Sequence, residues 1–287
     1  MCGSPVENFK ILGKRLNCSQ GFNPKNKIGI STTVVRCNNC SLIFSSPIPI
    51  PSDINSHYGV PPENYWKDEY FKIDETYFNI EIAIAKKLVS FKKTAKVLDI
   101  GAGIGKCMVS LNNAGFDTYG IEPSSPFYQR AIDIMKISPD KLKLCTLEDA
   151  DFPTNHFDFI TFGAVLEHLY DPSNSLRKAL GWLKSGGIIH AEIPSSNWLT
   201  NKIINFLYKI RGMDYVANIS PMHTPYHLYE FDIKSFLKNA KINGYEVVQH
   251  QYYVCDTYLP SFLDFIVKPI MKATNTGMQL SIWLRKI

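Results

Sequence analysis

The segment Asp99-Ile-Gly-Ala-Gly-Ile-Gly105 sets three glycines at alternate positions behind an acid, directly after the apolar pair Val97-Leu98. Glycines at 101, 103 and 105 let the backbone turn sharply and leave no side chain between it and a ligand. A dinucleotide-binding turn places its third glycine one residue later, but position 106 is Lys, so the register is wrong for a nicotinamide dinucleotide. A pyrophosphate would seek the helix N-terminus, whereas Asp99 at the strand end suits an ammonium group. The following strand ends in Tyr119-Gly-Ile-Glu122, and a carboxylate leaving a strand there accepts both hydroxyls of a ribose.

Seven histidines offer a group that titrates near neutral pH. His168 follows a strand in Leu166-Glu167-His168, and His223 and His227 share a Pro-bearing loop; His57, His156, His190 and His250 read as ordinary surface or core residues. The acids near the glycine turn stand isolated in sequence, so no constellation for a catalytic magnesium ion is expected. Arg36-Cys37-Asn-Asn-Cys40, leading into the apolar run Leu42-Ile43-Phe44, looks like half of a zinc ribbon. Tetrahedral zinc needs four ligands. Cys2 and Cys18 complete a set with Cys37 and Cys40; the alternative is a ribbon that has lost its metal.

These residues need elements to hold them. Residues 1–55, rich in Asn, Ser, Gly and Pro and closing in SSPIPIPS, read as a small cysteine-containing module and stiff connector. Residues 56–93 read as a helical cap, with Tyr77, Ile80, Ile84, Leu88 and Phe91 on one face. From residue 94 to 287 short apolar strands alternate with helices, the pattern of a parallel sheet with crossover helices. Strands are expected at 96–100, 118–121, 142–145, 157–162 and 188–193, with two more at 246–254 and 279–286. Ser125-Pro126 opens one helix. Leu176, Leu180 and Leu183 mark the buried face of another, which Gly186-Gly187 ends. Residues 195–230 interrupt the alternation and read as a lid insertion. Its helix, Trp198–Arg211, either packs its apolar face over the pocket or lies on a membrane surface.

Composition sets outer limits. At 287 residues and 45% hydrophobic content the chain can bury a full core, which excludes a disordered reading. Its formal net charge of +5 is spread without a run of like charges, so no nucleic-acid partner is expected. Seven cysteines, odd in number and clustered, favour reduced thiols over a secreted disulfide framework. No secretory h-region and no membrane-spanning apolar stretch stand out, so the expected compartment is the cytoplasm.

The glycine turn, Glu122, Leu147-Glu148-Asp149, FDFITFGAVLEHLYDP and LKSGGIIHAEIP, in this order and spacing, resemble the class I S-adenosylmethionine-dependent methyltransferases, in particular the UbiG-like and "methyltransferase domain 23" groups, over roughly residues 94–255. The resemblance implies a Rossmann-like, doubly wound α/β fold with a mostly parallel seven-stranded sheet. It implies that Asp99, Gly101, Ala102 and Gly103 embrace the methionine portion of S-adenosylmethionine and that Glu122, beside Pro123, holds the ribose. It also implies that Thr146, Leu147 and Glu148 flank the adenine and that Phe162, Gly163 and Ala164 pass beneath the sulfonium. Many relatives carry Asp or Glu where this chain has Thr146 or Leu147, so the side chain meeting the adenine amine stays open.

For a hydroxyl acceptor a positioned base contributes roughly 10²- to 10⁴-fold. His168, beside the expected transfer point, is that base or shapes the pocket; His227 binds substrate or serves as a second catalytic group. Some sugar-modifying methyltransferases carry a zinc ribbon ahead of the catalytic domain, so methylation of a hydroxyl or amine of a small polar acceptor such as a nucleotide-linked sugar, or another surface-glycan or secondary-metabolite precursor, is expected. The alternatives are a lipid or quinone O-methyltransferase at a membrane surface and a non-catalytic binding protein on the same fold.

Overall fold

The computed structural model describes residues 1–16, 31–53, 57–64, 71–72, 74, 76–91, 95–219, 225–255, 257 and 259–287. Cys18 and His223 lie outside the described residues. The strands are β1 (Phe9–Leu16), β2 (Ser31–Cys37), β3 (Ile43–Ser46), β4 (Lys96–Ile100), β5 (Asp117–Glu122), β6 (Leu142–Leu144), β7 (Phe157–Gly163), β8 (Leu183–Pro194), β9 (Tyr229–Glu230), β10 (Tyr245–Tyr253) and β11 (Gln279–Lys286). The α-helices are α1 (Asn79–Leu88), α2 (Lys106–Asn113), α3 (Ser125–Asp133), α4 (Pro172–Trp182), α5 (Leu199–Ile210), α6 (Ile233–Asn243) and α7 (Asp264–Thr274).

Seven strands form one sheet in the order β10-β11-β8-β7-β4-β5-β6. The pairs from β8 to β6 are parallel, and β11 runs antiparallel to both its neighbours. This is the mostly parallel sheet that the resemblance implied. Val97 and Leu98, successive on β4, feed hydrophobic clusters on opposite faces, because side chains alternate along a strand. A sheet covered on both sides explains why its central strands read as unbroken apolar runs. His190 is a satisfied core histidine: its two ring nitrogens meet Thr161 Oγ1 at 3.1 Å and Ser281 Oγ at 3.0 Å.

Helix boundaries follow local chemistry, with small departures from expectation. Ser124, one residue before the expected cap, is the N-cap of α3 and leaves Pro126 in the first turn. Asp171 caps α4 by accepting from the Asn174 amide at 2.9 Å. That helix ends at Trp182, not at Gly186-Gly187. Leu183 already pairs with Phe157 across a register shift, so it belongs to β8 and not to the helical face. Helix α7 carries Pro269 in its interior, and that residue hid the helix from a periodicity reading.

Residues 1–55 were expected to stand apart. Instead β1, β2 and β3 take a fourth strand, β9, from the insertion at 195–230, and Cys37, Cys40 and Leu42 join the main core. Helix α5 departs from the reading in which its apolar face packs over the pocket, because its polar side faces inward. Thr200 and Asn201 are buried, and Asn205 exchanges hydrogen bonds with Asn218 and the Ala217 amide at 2.7 Å. The cause is Glu230 on β9, a buried carboxylate that accepts from Ile219 N at 2.7 Å, Asn218 Nδ2 at 2.6 Å and Asn201 Nδ2 at 3.3 Å. An acid is costly to bury without donors, so the helix turns its amides toward it and its apolar side away.

Candidate active site

The parallel strands end on one edge of the sheet, and their following turns build the site. The glycine turn leaves β4 with Gly101, Gly103 and Gly105 all at positive φ. Its amides at 101 and 102 donate to the Ile121 carbonyl at 2.9 and 3.0 Å, locking the turn to β5. The turn is not uniformly bare. A Cβ at Gly101 would lie 2.5 Å from Val165, whereas at Gly103 the nearest atom, on Phe127, would be 3.8 Å away. Gly101 therefore makes room for a neighbouring side chain, and Gly103 supplies the open face.

Glu122 sits across from that face, buried, with one oxygen accepting from Gly103 N at 2.7 Å and the other from Ser124 N at 2.8 Å. Burial pushes its carboxyl up to about 7, against the lowering effect of those two amides. Asp99 is likewise buried and pushed up to about 7, chiefly by burial, despite a hydrogen bond with Cys107. Its Oδ2 has no hydrogen-bond partner. A buried, unanswered carboxylate oxygen beside a bare turn fits a ligand that brings a cation and a diol, which is the donor set that the methionine ammonium and the ribose of S-adenosylmethionine would offer.

The remaining expected cofactor residues divide by burial. Ala102 is buried in the turn and Pro123 is half-buried between Glu122 and Ser124. Leu147 and Phe162 are core side chains, so they can meet a ligand only through their backbone. Thr146 spends its hydroxyl on a local turn, donating to Asp149 Oδ2 at 2.8 Å, while Glu148 is exposed. Gly163 faces open space, and Ala164 holds φ at +54°, a costly conformation for a residue with a Cβ that often marks functional turns.

Beyond Ala164 a 3-10 turn, Leu166–His168, carries the proton-handling groups. His168 and His227 stack edge to face with centroids 4.6 Å apart. His168 Nδ1 lies 2.8 Å from the Tyr226 carbonyl, so Nδ1 carries the hydrogen and Nε2 is left as the basic atom. Burial lowers its imidazole to about 4, partly offset by that carbonyl, which keeps the ring neutral at physiological pH. Tyr226 N in turn donates to Nε2 of buried His57 at 3.3 Å.

Sequence reasoning missed two members of this group. Glu167 is 2% exposed, its Oε2 has no partner, and burial raises it to about 8. Its carboxylate and the rings of His168 and His227 place ligand atoms within 4.8 Å of one another, contrary to the expectation that the acids stand isolated. His57 was read as ordinary, yet it braces Tyr226. Nothing in local spacing announces either contact, since 169 residues separate His57 from Tyr226.

In the N-terminal sheet, the thiols of Cys2, Cys37 and Cys40 gather within the same 4.8 Å limit, with Cys2 and Cys37 sulfurs 3.6 Å apart. Burial would raise the Cys2 thiol, but hydrogen bonding with Ser4, Cys40 and Cys37 outweighs it and holds the group at about 7. Burial lifts Cys40 to about 12. The fourth expected ligand, Cys18, falls outside the described residues.

Comparison with known proteins gives concordant matches. The methyltransferase-domain family model matches residues 78–250. A ubiquinone biosynthesis O-methyltransferase of Bradyrhizobium diazoefficiens is 30% identical over 134 residues, covering 45% of this chain and 49% of that protein. Its counterpart in Rhodopseudomonas palustris is 29% identical over 143 residues, covering 48% and 53%. The chain thus spans about half the length of these curated relatives. The solved structure of a SAM-dependent methyltransferase from Methanosarcina mazei, 18% identical, overlays with a TM-score of 0.50 and covers 71% of this chain and 97% of that one, which shows a shared fold.

Proposed function

This chain belongs to the methyltransferase-domain family, and from that premise we propose that it is an S-adenosylmethionine-dependent methyltransferase acting on a hydroxyl of a small acceptor. The observation that carries the choice of a hydroxyl is neutral His168, packed on His227 in the turn that follows Val165, itself against Gly101, with His168 Nε2 left basic by the Tyr226 carbonyl. S-adenosylmethionine supplies a methyl group already activated on sulfur. The protein's task is therefore alignment, worth roughly 7 to 11 kcal/mol, together with removal of one proton.

In this reading Asp99 answers the ammonium, Gly103 offers the open backbone face and Glu122 accepts from the ribose. Backbone at Thr146–Glu148 and Phe162–Ala164 borders the adenine and the transfer point. His168 Nε2 would take the hydroxyl proton when the acceptor oxygen displaces the thioether of S-adenosylhomocysteine from the methyl carbon. His227 steadies the acceptor, and the Tyr226 carbonyl at His168 Nδ1 stabilises the imidazolium that forms.

The acceptor is a nucleotide-linked sugar or related glycan precursor if the cysteine module marks the same use as in sugar-modifying relatives. Cys2, Cys37 and Cys40 would then hold structural zinc with a fourth ligand. A quinone or lipid acceptor is the second reading. It is favoured by the curated relatives, which are ubiquinone biosynthesis O-methyltransferases, and by the outward apolar side of α5. Calorimetry with S-adenosylhomocysteine, followed by turnover on nucleotide sugars and hydroxylated quinone precursors, tests the proposal. Failure to bind S-adenosylhomocysteine ends it. Binding without turnover on any acceptor, joined to salt-sensitive RNA binding, would instead make the chain a non-catalytic binding protein.

A further inference from the structure

Scattered exposed apolar residues are ordinary on a protein surface, but stripes at helical spacing are not. Helix α5 presents one. Leu199, Ile203, Phe206 and Ile210 recur on the side opposite Thr200, Asn201 and Asn205, and Phe206 is 63% exposed. The inward set is fixed by the Glu230 network, so the helix cannot roll to hide the stripe without stranding that carboxylate. At 100° per residue, Lys202 and Lys209 border one flank, Arg211 ends the helix, and no acid occurs along it.

Helix α7 repeats the arrangement. Phe265, Ile266, Pro269 and Ile270 face outward while Met271 is buried, and Phe265 is 75% exposed. Lys268 and Lys272 flank the stripe, and the one acid, Asp264, is paired with Lys268 at 3.0 Å. The two helices adjoin at their ends: Leu199 N donates to the Thr276 carbonyl at 3.1 Å, and Asn197 Nδ2 to the Asn275 carbonyl at 3.0 Å.

We propose that the outward faces of α5 and α7 form a docking surface for an anionic phospholipid bilayer. The apolar stripes enter the headgroup–acyl boundary, and Lys202, Lys209, Arg211 and Lys272 meet headgroup phosphates. Charge argues for this occupant: the rims are basic and the only acid on either helix is already paired, so an anionic partner is favoured over an acid-seeking or neutral one. The docking lies in the plane of the membrane, since no helix among the described residues is long and apolar enough to cross it. The inference rests on this surface and not on the methyl-transfer reading.

Co-sedimentation of the full chain with vesicles tests it. The chain should sediment with phosphatidylcholine–phosphatidylglycerol vesicles and much less with phosphatidylcholine alone, and salt should weaken the binding. F206E/I210E and F265E/I266E should each lower partitioning by about tenfold or more, with circular dichroism and S-adenosylhomocysteine affinity unchanged. K209E/R211E should weaken binding to the anionic vesicles only. The proposal is overturned if the chain ignores anionic vesicles, if F206E/I210E binds them as well as the parent, or if sedimentation velocity shows a dimer that F206E/I210E dissolves, which would make a second copy the occupant. Vesicle binding without S-adenosylhomocysteine binding would leave this surface standing and remove the methyl-transfer reading.

Discussion

The cofactor side and the acceptor side of the cleft are built on opposite plans. Asp99, Gly103, Glu122 and Ser124 lie close in sequence, and their hydrogen bonds join the ends of two paired strands. His57, Glu167, His168, Tyr226 and His227 come from the cap, a post-strand turn and the insertion, and meet only when the insertion folds back over β8. A nucleoside turn can therefore be written into a short stretch of chain, whereas the group that moves a proton exists only in the finished tertiary structure. Damage to the second side should leave the first intact.

The largest test of that separation is His168→Ala. Loss of the base should lower kcat by about 10²- to 10⁴-fold while calorimetry finds S-adenosylhomocysteine bound as in the parent; weakened binding would show that the two sides are not separable. Glu122→Gln probes the other side. An amide side chain has one acceptor oxygen for the two backbone donors at 103 and 124, and its NH₂ would oppose one of them. Affinity for S-adenosylhomocysteine should fall roughly 10- to 100-fold, about 1.4 to 2.7 kcal/mol, with far-ultraviolet circular dichroism preserved.

The same division explains what could be read from sequence. The glycine turn, Glu122 and the strand alternation are short-range signals, and the sheet follows them strand for strand. Glu167 was visible only as part of a motif, because its isolation from water depends on packing that no local pattern encodes. The apolar run on α5 suggested a helix closing over the pocket; the buried carboxylate of Glu230, which fixes the opposite orientation, lies more than a full helix away in sequence. Leu183 fits a helical period and a strand equally well, and its pairing with Phe157 decided the matter.

Acidity offers a finer comparison. Asp99 and Glu122 hold their protons up to about 7 in the folded chain against ordinary values of 3.8 and 4.5, so the folded state binds protons more tightly than the unfolded one. Stability from these groups is full below their ordinary values and is lost as pH rises through about 4 to 7. Glu167, raised to about 8, extends the loss on the acceptor side. Thermal melts between about pH 5 and about pH 8 should therefore show a declining midpoint. Added S-adenosylhomocysteine, whose ammonium and ribose answer only the first pair, should flatten the fall below about pH 7 and leave the portion due to Glu167. His168 has the opposite sign: lowered from 6.5 to about 4, it should place the acid limb of kcat/KM toward pH 4. A limb at the ordinary imidazole value would move the base to another residue.

The smallest expected effect sharpens the comparison through stability alone. Helix α6 begins with a capping box in which Asp232 accepts from the Lys234 amide at 3.0 Å and Ser235 accepts from the Asp232 amide at 3.4 Å. The Ser235 hydroxyl also donates to the Cys40 carbonyl at 2.9 Å, tying the helix to the N-terminal sheet behind the acceptor side. Asp232→Ala should therefore cost about 1 kcal/mol in urea unfolding. Ser124→Ala, at the N-cap of α3 on the cofactor side, removes only a 3.5 Å contact to the Phe127 amide, because the Ser124 amide, which the substitution keeps, makes the tighter bond to Glu122. Its cost should be a few tenths of a kcal/mol. An Asp232→Ala chain that is less stable yet binds S-adenosylhomocysteine unchanged would mean that the cofactor turn is held by its own strand ends. A parallel loss of binding would mean that the insertion and the N-terminal sheet hold both sides at once.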